Sequence, residues 1–100
     1  MGTRSASPVD LHVAGRVRLK RVLMGITQEE LGARLKISFQ QIQKYESGSN
    51  RITAGRLFDI ARTLKVPVSY FFEDLPMRRD GKVKPPARKA VKAKRASARR

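Results

Sequence analysis

The chain has 100 residues, 23 of them Lys or Arg and 8 Asp or Glu, so a single small domain with a net charge of +15 and a pI near 11.5 is predicted. The absence of cysteine and the presence of one histidine, His12, exclude a disulfide framework, thiolate metal sites and multi-histidine clusters. No apolar run approaches the ~20 residues of a membrane span, and the first nine residues lack the apolar stretch of a signal peptide.

The excess of positive charge indicates a polyanionic partner. A pI above ~9 is typical of nucleic-acid-binding domains, because Lys and Arg displace the counterions condensed on phosphates. Anionic membrane surfaces and acidic proteins are the weaker alternatives.

The charge is concentrated at the C-terminal end of the chain. Residues 10–75 hold 11 Lys and Arg against 7 Asp and Glu, whereas residues 76–100 hold 11 against one. The last segment has no aromatic and few large aliphatic residues, so it cannot bury enough surface to offset its ordering entropy. We therefore predict a disordered N-terminal segment over 1–9, a folded domain over 10–75 and a disordered Lys/Arg/Ala-rich tail over 76–100.

The first predicted helix begins at Val9 or Asp10 and ends near Gly25. Its apolar spacing is close to 3.6 residues, which is typical of an amphipathic helix. Its apolar positions are Leu11, Val13, Val17, Leu19 or Lys20, and Val22 or Leu23.

Three further helices follow residues that can cap a helix N-terminus, namely Thr27, Ser38 and Thr53. Thr27 with Glu30 three residues later predicts a capping box, and Gly48 predicts the end of the third helix. The apolar positions of the three helices are Leu31, Leu35, Ile42, Tyr45, Leu57, Ile60, Ala61 and Leu64.

A last short helix is predicted from Ser69 to about Phe72, after Pro67. No useful length of chain alternates with a period of two residues. The prediction is therefore an all-α domain of about five helices.

The second and third helices have the spacing of a helix-turn-helix. The turn between them, Lys36 and Ile37, is short enough to force a steep crossing, and Gly32 is small where a larger side chain would separate the helices. The five positions that must be apolar in such a unit hold Leu31, Leu35, Ile37, Ile42 and Tyr45.

Residues 10 to about 75 resemble the Cro/C1-repressor-type helix-turn-helix proteins of phages and bacteria, in their single-domain form. The resemblance rests on the segments ITQEELG, QKYESG and LFDIARTLKVPVSYFF. It implies a five-helix repressor-like domain. One departure is Lys36, which stands where the family usually has glycine; with a positive φ it costs roughly 1 kcal/mol relative to glycine.

The resemblance also implies roles for individual side chains. The second helix of the pair lies in the major groove, where Gln and Lys side chains bond base edges and an apolar ring packs on the thymine methyl group. The expected base-reading residues are Phe39, Gln40, Gln41 and Lys44. The expected phosphate contacts are Gln28, Ser38, Gln43, Ser47, Ser49, Asn50 and Arg51. Arg21 and Glu46 match a structural ion pair of the family, and the candidates for a dimer contact are Tyr70, Phe71 and Phe72.

The leading hypothesis is a sequence-specific transcriptional regulator, by default a repressor, that binds a palindromic operator in double-stranded DNA as a homodimer. The first alternative is the antitoxin of a toxin–antitoxin pair, with the tail as the site of a protein partner. The second is a nucleoid-type protein that binds DNA non-specifically through the tail. We expect no enzymatic activity, cofactor, metal or membrane association, and a cytoplasmic, nucleoid-associated location.

Overall fold

The computed structural model describes residues 7–84, and this part of the chain is helical. The elements are α1 (Pro8–Leu23), α2 (Gln28–Leu35), α3 (Phe39–Ser47), α4 (Ala54–Leu64) and a 3₁₀ helix (Val68–Phe72). The predicted all-α, repressor-like fold class is confirmed. The fifth helix is a 3₁₀ helix rather than an α-helix, and it begins directly after Pro67, at Val68 rather than Ser69. None of the described helices is long and apolar enough to cross a membrane.

The helix starts follow the capping residues. The side chains of Thr27, Ser38 and Thr53 each accept a hydrogen bond from the backbone N–H three residues later. Glu30 completes the capping box of α2 by accepting from the backbone N–H of Thr27 at 2.8 Å.

The start of α1 differs from the prediction. Ser7 is its N-cap and forms a capping box with Asp10, and Pro8 occupies the first turn, where its missing N–H costs nothing. Residues 7–9, predicted to belong to a disordered segment, are therefore part of the domain. The rest of that segment, residues 1–6, lies outside the described residues.

Two helices end on lysines in the left-handed conformation. Lys36 has φ 63° at the end of α2 and Lys65 has φ 60° at the end of α4, whereas α3 ends on Gly48 with φ 83°. The positive φ considered for Lys36 is thus present. This conformation is costly for a residue with a Cβ, so the turn between α2 and α3 retains some strain.

One apolar core joins all five helices. Six of its side chains are less than 2% exposed: Phe71, Leu31, Ile42, Ile60, Leu64 and Val17. Gly32 lies where α2 meets the start of α3, and a Cβ built on it would be 2.7 Å from the carbonyl oxygen of Ile37. The prediction that a larger residue here would push the helices apart agrees with this distance.

The core face of α1 is narrower than its set of apolar positions. Val13 and Val17 are buried, but Leu19, Val22 and Leu23 are 43%, 49% and 67% exposed. The reason is geometric: at 100° per residue, positions 19 and 22 lie on the side of the helix opposite positions 13 and 17. Of the apolar positions of this helix, these three therefore lie outside the core.

Polar contacts attach the 3₁₀ helix to α1. Arg16 donates through Nε and Nη2 to the carbonyl oxygen of Tyr70, at 3.1 and 3.0 Å, and its guanidinium lies 4.1 Å from the centre of that residue's ring. His12, the one histidine of the chain, donates through Nε2 to the carbonyl oxygen of Glu73 at 2.7 Å. These bonds hold the C-terminal end of the folded domain against α1.

The segment predicted to be a disordered tail begins with a turn. Met77 and Val83 form an isolated antiparallel bridge, and Gly81, with φ 87°, supplies the left-handed residue between them. The Asp80–Gly81 pair is a frequent turn signal, since both residues tolerate such backbone angles. The structure thus differs from the expectation over 76–84, and residues 85–100 lie outside the described part.

Candidate nucleic-acid interface

The two sides of α3 have different composition. On its inner side, Ile42 is 1% and Glu46 is 9% exposed. On its outer side, Gln40, Gln43 and Lys44 are exposed to solvent. We refer to these three residues as the outer face of α3. It presents two amides and one ammonium, groups that can bond base edges and phosphate oxygens.

The four predicted base-reading residues fall into two pairs. Gln40 and Lys44 are exposed and four residues apart, so they lie one above the other on the outer face. Phe39 and Gln41 are half-buried; Phe39, seven residues before Glu46, lies towards the inner side at the start of the helix, and Gln41 lies on a flank. The structure therefore brings the first pair together and leaves the second pair beside it.

The phenyl ring of Phe39 lines a groove of about 330 Å³ between the first residues of α2 and α3. The other lining residues are Arg21, Thr27, Gln28 and Glu29. The groove is next to the outer face of α3. It brings Phe39 close to Gln28 at the start of α2, although the two residues belong to different helices.

A buried ion pair connects α1 to α3. Arg21 donates through Nε to Oε2 of Glu46 at 2.6 Å and through Nη2 to Oε1 at 3.0 Å. It also donates through Nη1 to the carbonyl oxygen of Ile26 at 2.7 Å, in the loop before α2. Glu46 is the only carboxylate of α3, so its inward position leaves no negative charge on the outer face.

Gln28 forms a contact that the sequence did not indicate. Its Nε2 donates to Oε1 of Glu46 at 3.0 Å, so the first residue of α2 is tied to the C-terminal end of α3. A carboxamide nitrogen carries two N–H groups, and only one is needed for this bond. The predicted role of Gln28 in phosphate binding therefore depends on the other N–H. No local motif reveals this bond, since 18 residues separate its partners.

The remaining predicted phosphate contacts are close to the two ends of α3. At its start, the Ser38 side chain is used as the N-cap and accepts from the backbone N–H of Gln41 at 3.1 Å. At its end, the hydroxyl groups of Ser47 and Ser49 lie 2.8 Å apart in a turn closed by the bond from Asn50 N–H to the carbonyl oxygen of Lys44. Gln43 is on the outer face itself.

Arg51 completes this loop and has an unexpected neighbour. Its Nε lies 3.6 Å from Oδ2 of Asp10, while its side chain remains 64% exposed. An ion pair with such an exposed member is weak. Arg51 can therefore exchange Asp10 for a phosphate at little cost.

The three candidates for a dimer contact are not equivalent. Phe71 is fully buried in the core, so it has no surface to offer a second subunit and is removed from the candidates. Phe72 is 39% exposed, and Tyr70 is half-buried beneath Arg16. Adjacent residues of a helix point in different directions, which is why one phenylalanine enters the core and the next does not.

Comparison with known proteins yields a family and several relatives. The family model described as "Helix-turn-helix" matches residues 17–71. An uncharacterized HTH-type transcriptional regulator of Sinorhizobium medicae is 55% identical over 73 residues, covering 73% of this chain and 52% of its own. An uncharacterized transcriptional regulator in the ATPase CF(0) region of Rhodospirillum rubrum is 56% identical over 73 residues, covering 73% of this chain and 68% of its own.

The chain thus spans about half the length of the first of these relatives. Among solved structures, a variant of the restriction-modification controller protein C.Esp1396I is similar, with a TM-score of 0.62 and 28% identity. The similarity covers 68% of this chain and 86% of that one. The region matched by the family model contains α2, α3 and the loop that follows, which hold all the predicted DNA contacts.

Proposed function

The chain belongs to the Cro/C1-repressor type of the helix-turn-helix family, and from that premise we propose that it is a transcriptional regulator that binds a palindromic DNA operator as a homodimer. In this proposal α3 lies in the major groove, and repression results from occlusion of RNA polymerase. The protein acts in the cytoplasm, on the nucleoid.

The outer face of α3 is the observation that carries the proposal. Gln40 can bond adenine through its N6 and N7 atoms, and Lys44 can reach O6 or N7 of guanine. Both side chains are exposed, and the one carboxylate of the helix is held inward by Arg21. A face of this composition suits the edges of base pairs and does not repel the flanking phosphates.

The positions of the proposed phosphate contacts support the same docking. Gln28 bonds Glu46 in the last turn of α3, and the loop from Ser47 to Arg51 follows that turn. In helix-turn-helix complexes the N-terminal residues of the second helix contact base edges. In this proposal, phosphate contacts at both ends of α3, from Ser38 and from the loop after the helix, position Phe39 and Gln40 at the groove.

We propose a homodimer because a single recognition helix can contact only a short stretch of DNA sequence. A single recognition helix covers only about 4–5 base pairs, whereas two helices one DNA turn apart (~34 Å) give a workable specificity. Phe72, which is 39% exposed on the 3₁₀ helix, is the proposed apolar contact between subunits, together with the edge of Tyr70.

The proposal is tested by selecting a binding site from random duplex DNA with the full chain and then measuring the affinity of variants. Gln40→Ala and Lys44→Ala should each weaken binding to the selected site by about 1–3 kcal/mol and relax its sequence preference at one position. Arg62→Ala is the matched control, because it removes an exposed cation from α4 without altering α3. A selected site without two-fold symmetry, or wild-type affinity in both α3 variants, contradicts the proposal.

Removal of residues 85–100 separates this function from non-specific DNA coating. These residues hold 7 Lys and Arg and no acidic residue. We expect the truncated chain to keep its preference for the selected site and to show a shallower salt dependence. The logarithmic slope should decrease by about 0.9 for each phosphate that the tail neutralises in the full chain. A truncated chain without any sequence preference would instead favour a nucleoid-type protein.

A further inference from the structure

The outward side of α1 is apolar. Leu19, Val22 and Leu23 account for three of the six large hydrophobic residues that are exposed within residues 7–84. They are three and four residues apart, so their side chains are neighbours on the helix surface. Single exposed hydrophobic residues are ordinary, but a contiguous group of them marks an interaction surface.

The apolar surface continues towards the start of the helix. Gly15, four residues before Leu19, is exposed, and a Cβ built on it would meet no atom within 4 Å. Leu11, four residues earlier, is half-buried. Residues 11, 15, 19 and 22 form a row on the surface of the helix. Because Gly15 has no side chain, the row is shallowest there, and a second helix can pack closely along it. We refer to this row together with Leu23 as the outer face of α1.

The charge around this face indicates the charge of the partner that can bind there. Arg18 is exposed beside it, and Lys20 lies over the ring of Tyr70 at one edge, whereas Arg16 over the same ring is already paired with Glu73. Asp10 is the only acidic residue of α1. Its carboxylate accepts a hydrogen bond from the N-cap residue Ser7 and forms an ion pair with Arg51. A second copy of α1 would bring like charges together, in a chain that already carries +15.

We propose that the outer face of α1 is a docking site for an acidic amphipathic helix of a partner protein. Leucine-type side chains of the partner cover Leu19, Val22 and Leu23, and its carboxylates pair with Arg18 and the basic edge. Gly15 is the point of closest approach between the two helices.

Docking at this face is compatible with bound DNA. Arg21 on the inner side of α1 bonds Glu46 on the inner side of α3, so each helix keeps its own outer face exposed to solvent. A regulator bound to its operator would therefore still present α1 to a partner. Only this last step rests on the proposed DNA-binding function.

The test uses the full-length protein labelled with ¹⁵N and two synthetic peptides of 16 residues, the length of α1. One peptide has leucines at helical spacing flanked by glutamates; the other has the same composition in scrambled order. The scrambled peptide measures the background attraction of any acidic peptide to the basic tail. We expect the ordered peptide alone to shift the amide resonances of residues 15–24, with and without operator DNA.

Two variants make the test specific. Leu19→Ser combined with Val22→Ser should weaken binding of the ordered peptide about tenfold or more, because central apolar contacts dominate helix docking. The double variant should keep the thermal midpoint and operator affinity of the wild type. Phe58→Ser, which removes another exposed apolar side chain from α4, should leave peptide binding unchanged.

Three outcomes would overturn the proposal. They are equal shifts of residues 15–24 with both peptides, shifts from the ordered peptide that occur only outside residues 15–24, and self-association of the wild-type chain that the double variant abolishes, since the last result assigns the face to a second copy. The operator affinity measured in parallel reports separately on the DNA-binding function, so failure of one inference does not affect the other.

Discussion

The two helices α1 and α3 share an interior and differ in what they present to solvent. Each buries one side against the other, where Arg21 and Glu46 bond each other. Outward, α3 exposes Gln40 and Lys44, whereas α1 exposes Leu19. A polar outer face adds nothing to core packing and suits a nucleic acid. An apolar outer face likewise contributes nothing to core packing, and it is suited to binding another protein.

The difference between the two helices shows that burial alone does not identify a functional surface. Leu19 and Lys44 are both exposed, but water solvates the ammonium favourably and the leucine unfavourably. Lys44 is therefore stable without a partner, while Leu19 gains free energy only when something covers it. The inner ion pair joins the two helices that carry these faces, so changes to it should affect both.

The largest expected effect comes from breaking that inner pair. Glu46→Ala leaves Arg21 buried without a carboxylate and frees Gln28, so we expect the free energy of unfolding to fall by about 3–5 kcal/mol. Glu73→Ala is the control, because it removes a carboxylate that is 57% exposed and should cost about 1 kcal/mol or less. Urea unfolding of both variants measures the difference. Equal decreases would contradict the view that the Arg21–Glu46 bond orients the two helices.

A smaller effect is expected where α3 alone is displaced. Gly32→Ala puts a Cβ 2.7 Å from a backbone carbonyl that cannot rotate away, so α3 must shift, at a cost of about 1–3 kcal/mol. Operator affinity should fall as well, while peptide binding at α1 is retained. Gly15→Ala, which meets nothing, should stabilise α1 by up to about 1 kcal/mol. If both glycine variants destabilise the protein alike, steric contact at Gly32 is not the cause.

The smallest effect is a gain in stability that changes neither outer face. Lys36→Gly relieves the left-handed strain at φ 63° and should raise the free energy of unfolding by about 1 kcal/mol. Lys36→Ala, which keeps a Cβ at the same angle, should show no such gain. Thermal unfolding measures both variants. A similar gain in both would indicate that removal of the lysine charge, rather than backbone strain, is responsible.

Much of the fold is readable from the sequence because its signals are local. Thr27 and Thr53 cap helices within three residues of themselves, and Gly32 is small at the position where two helices must approach. The same three-residue signal is present at Ser7 and Asp10, although the predicted start of α1 lies after the observed one. The polar outer side of α3 likewise follows from the positions of Ile42 and Glu46 on its inner side.

The sequence left a choice undecided where it depended on a distant element. The sequence does not distinguish the adjacent residues Phe71 and Phe72, because both are the same amino acid. Only the space between α1 and α4 selects Phe71 for the core. The apolar residues of α1 exceed what one face can bury, and no local rule says which of them the other helices cover. The bond from Gln28 to Glu46 depends on the crossing of α2 and α3.

By itself, the sequence determined the helix starts, the helix-turn-helix spacing and the positive charge that indicates a nucleic acid, because caps, periodicity and composition act within a few residues or need no geometry. The tertiary structure alone decided which side of α1 stays uncovered and how Arg21, Gln28 and Glu46 meet. Each of these outcomes depends on which residue of another helix lies opposite a given side chain. The packing of the whole core sets that arrangement.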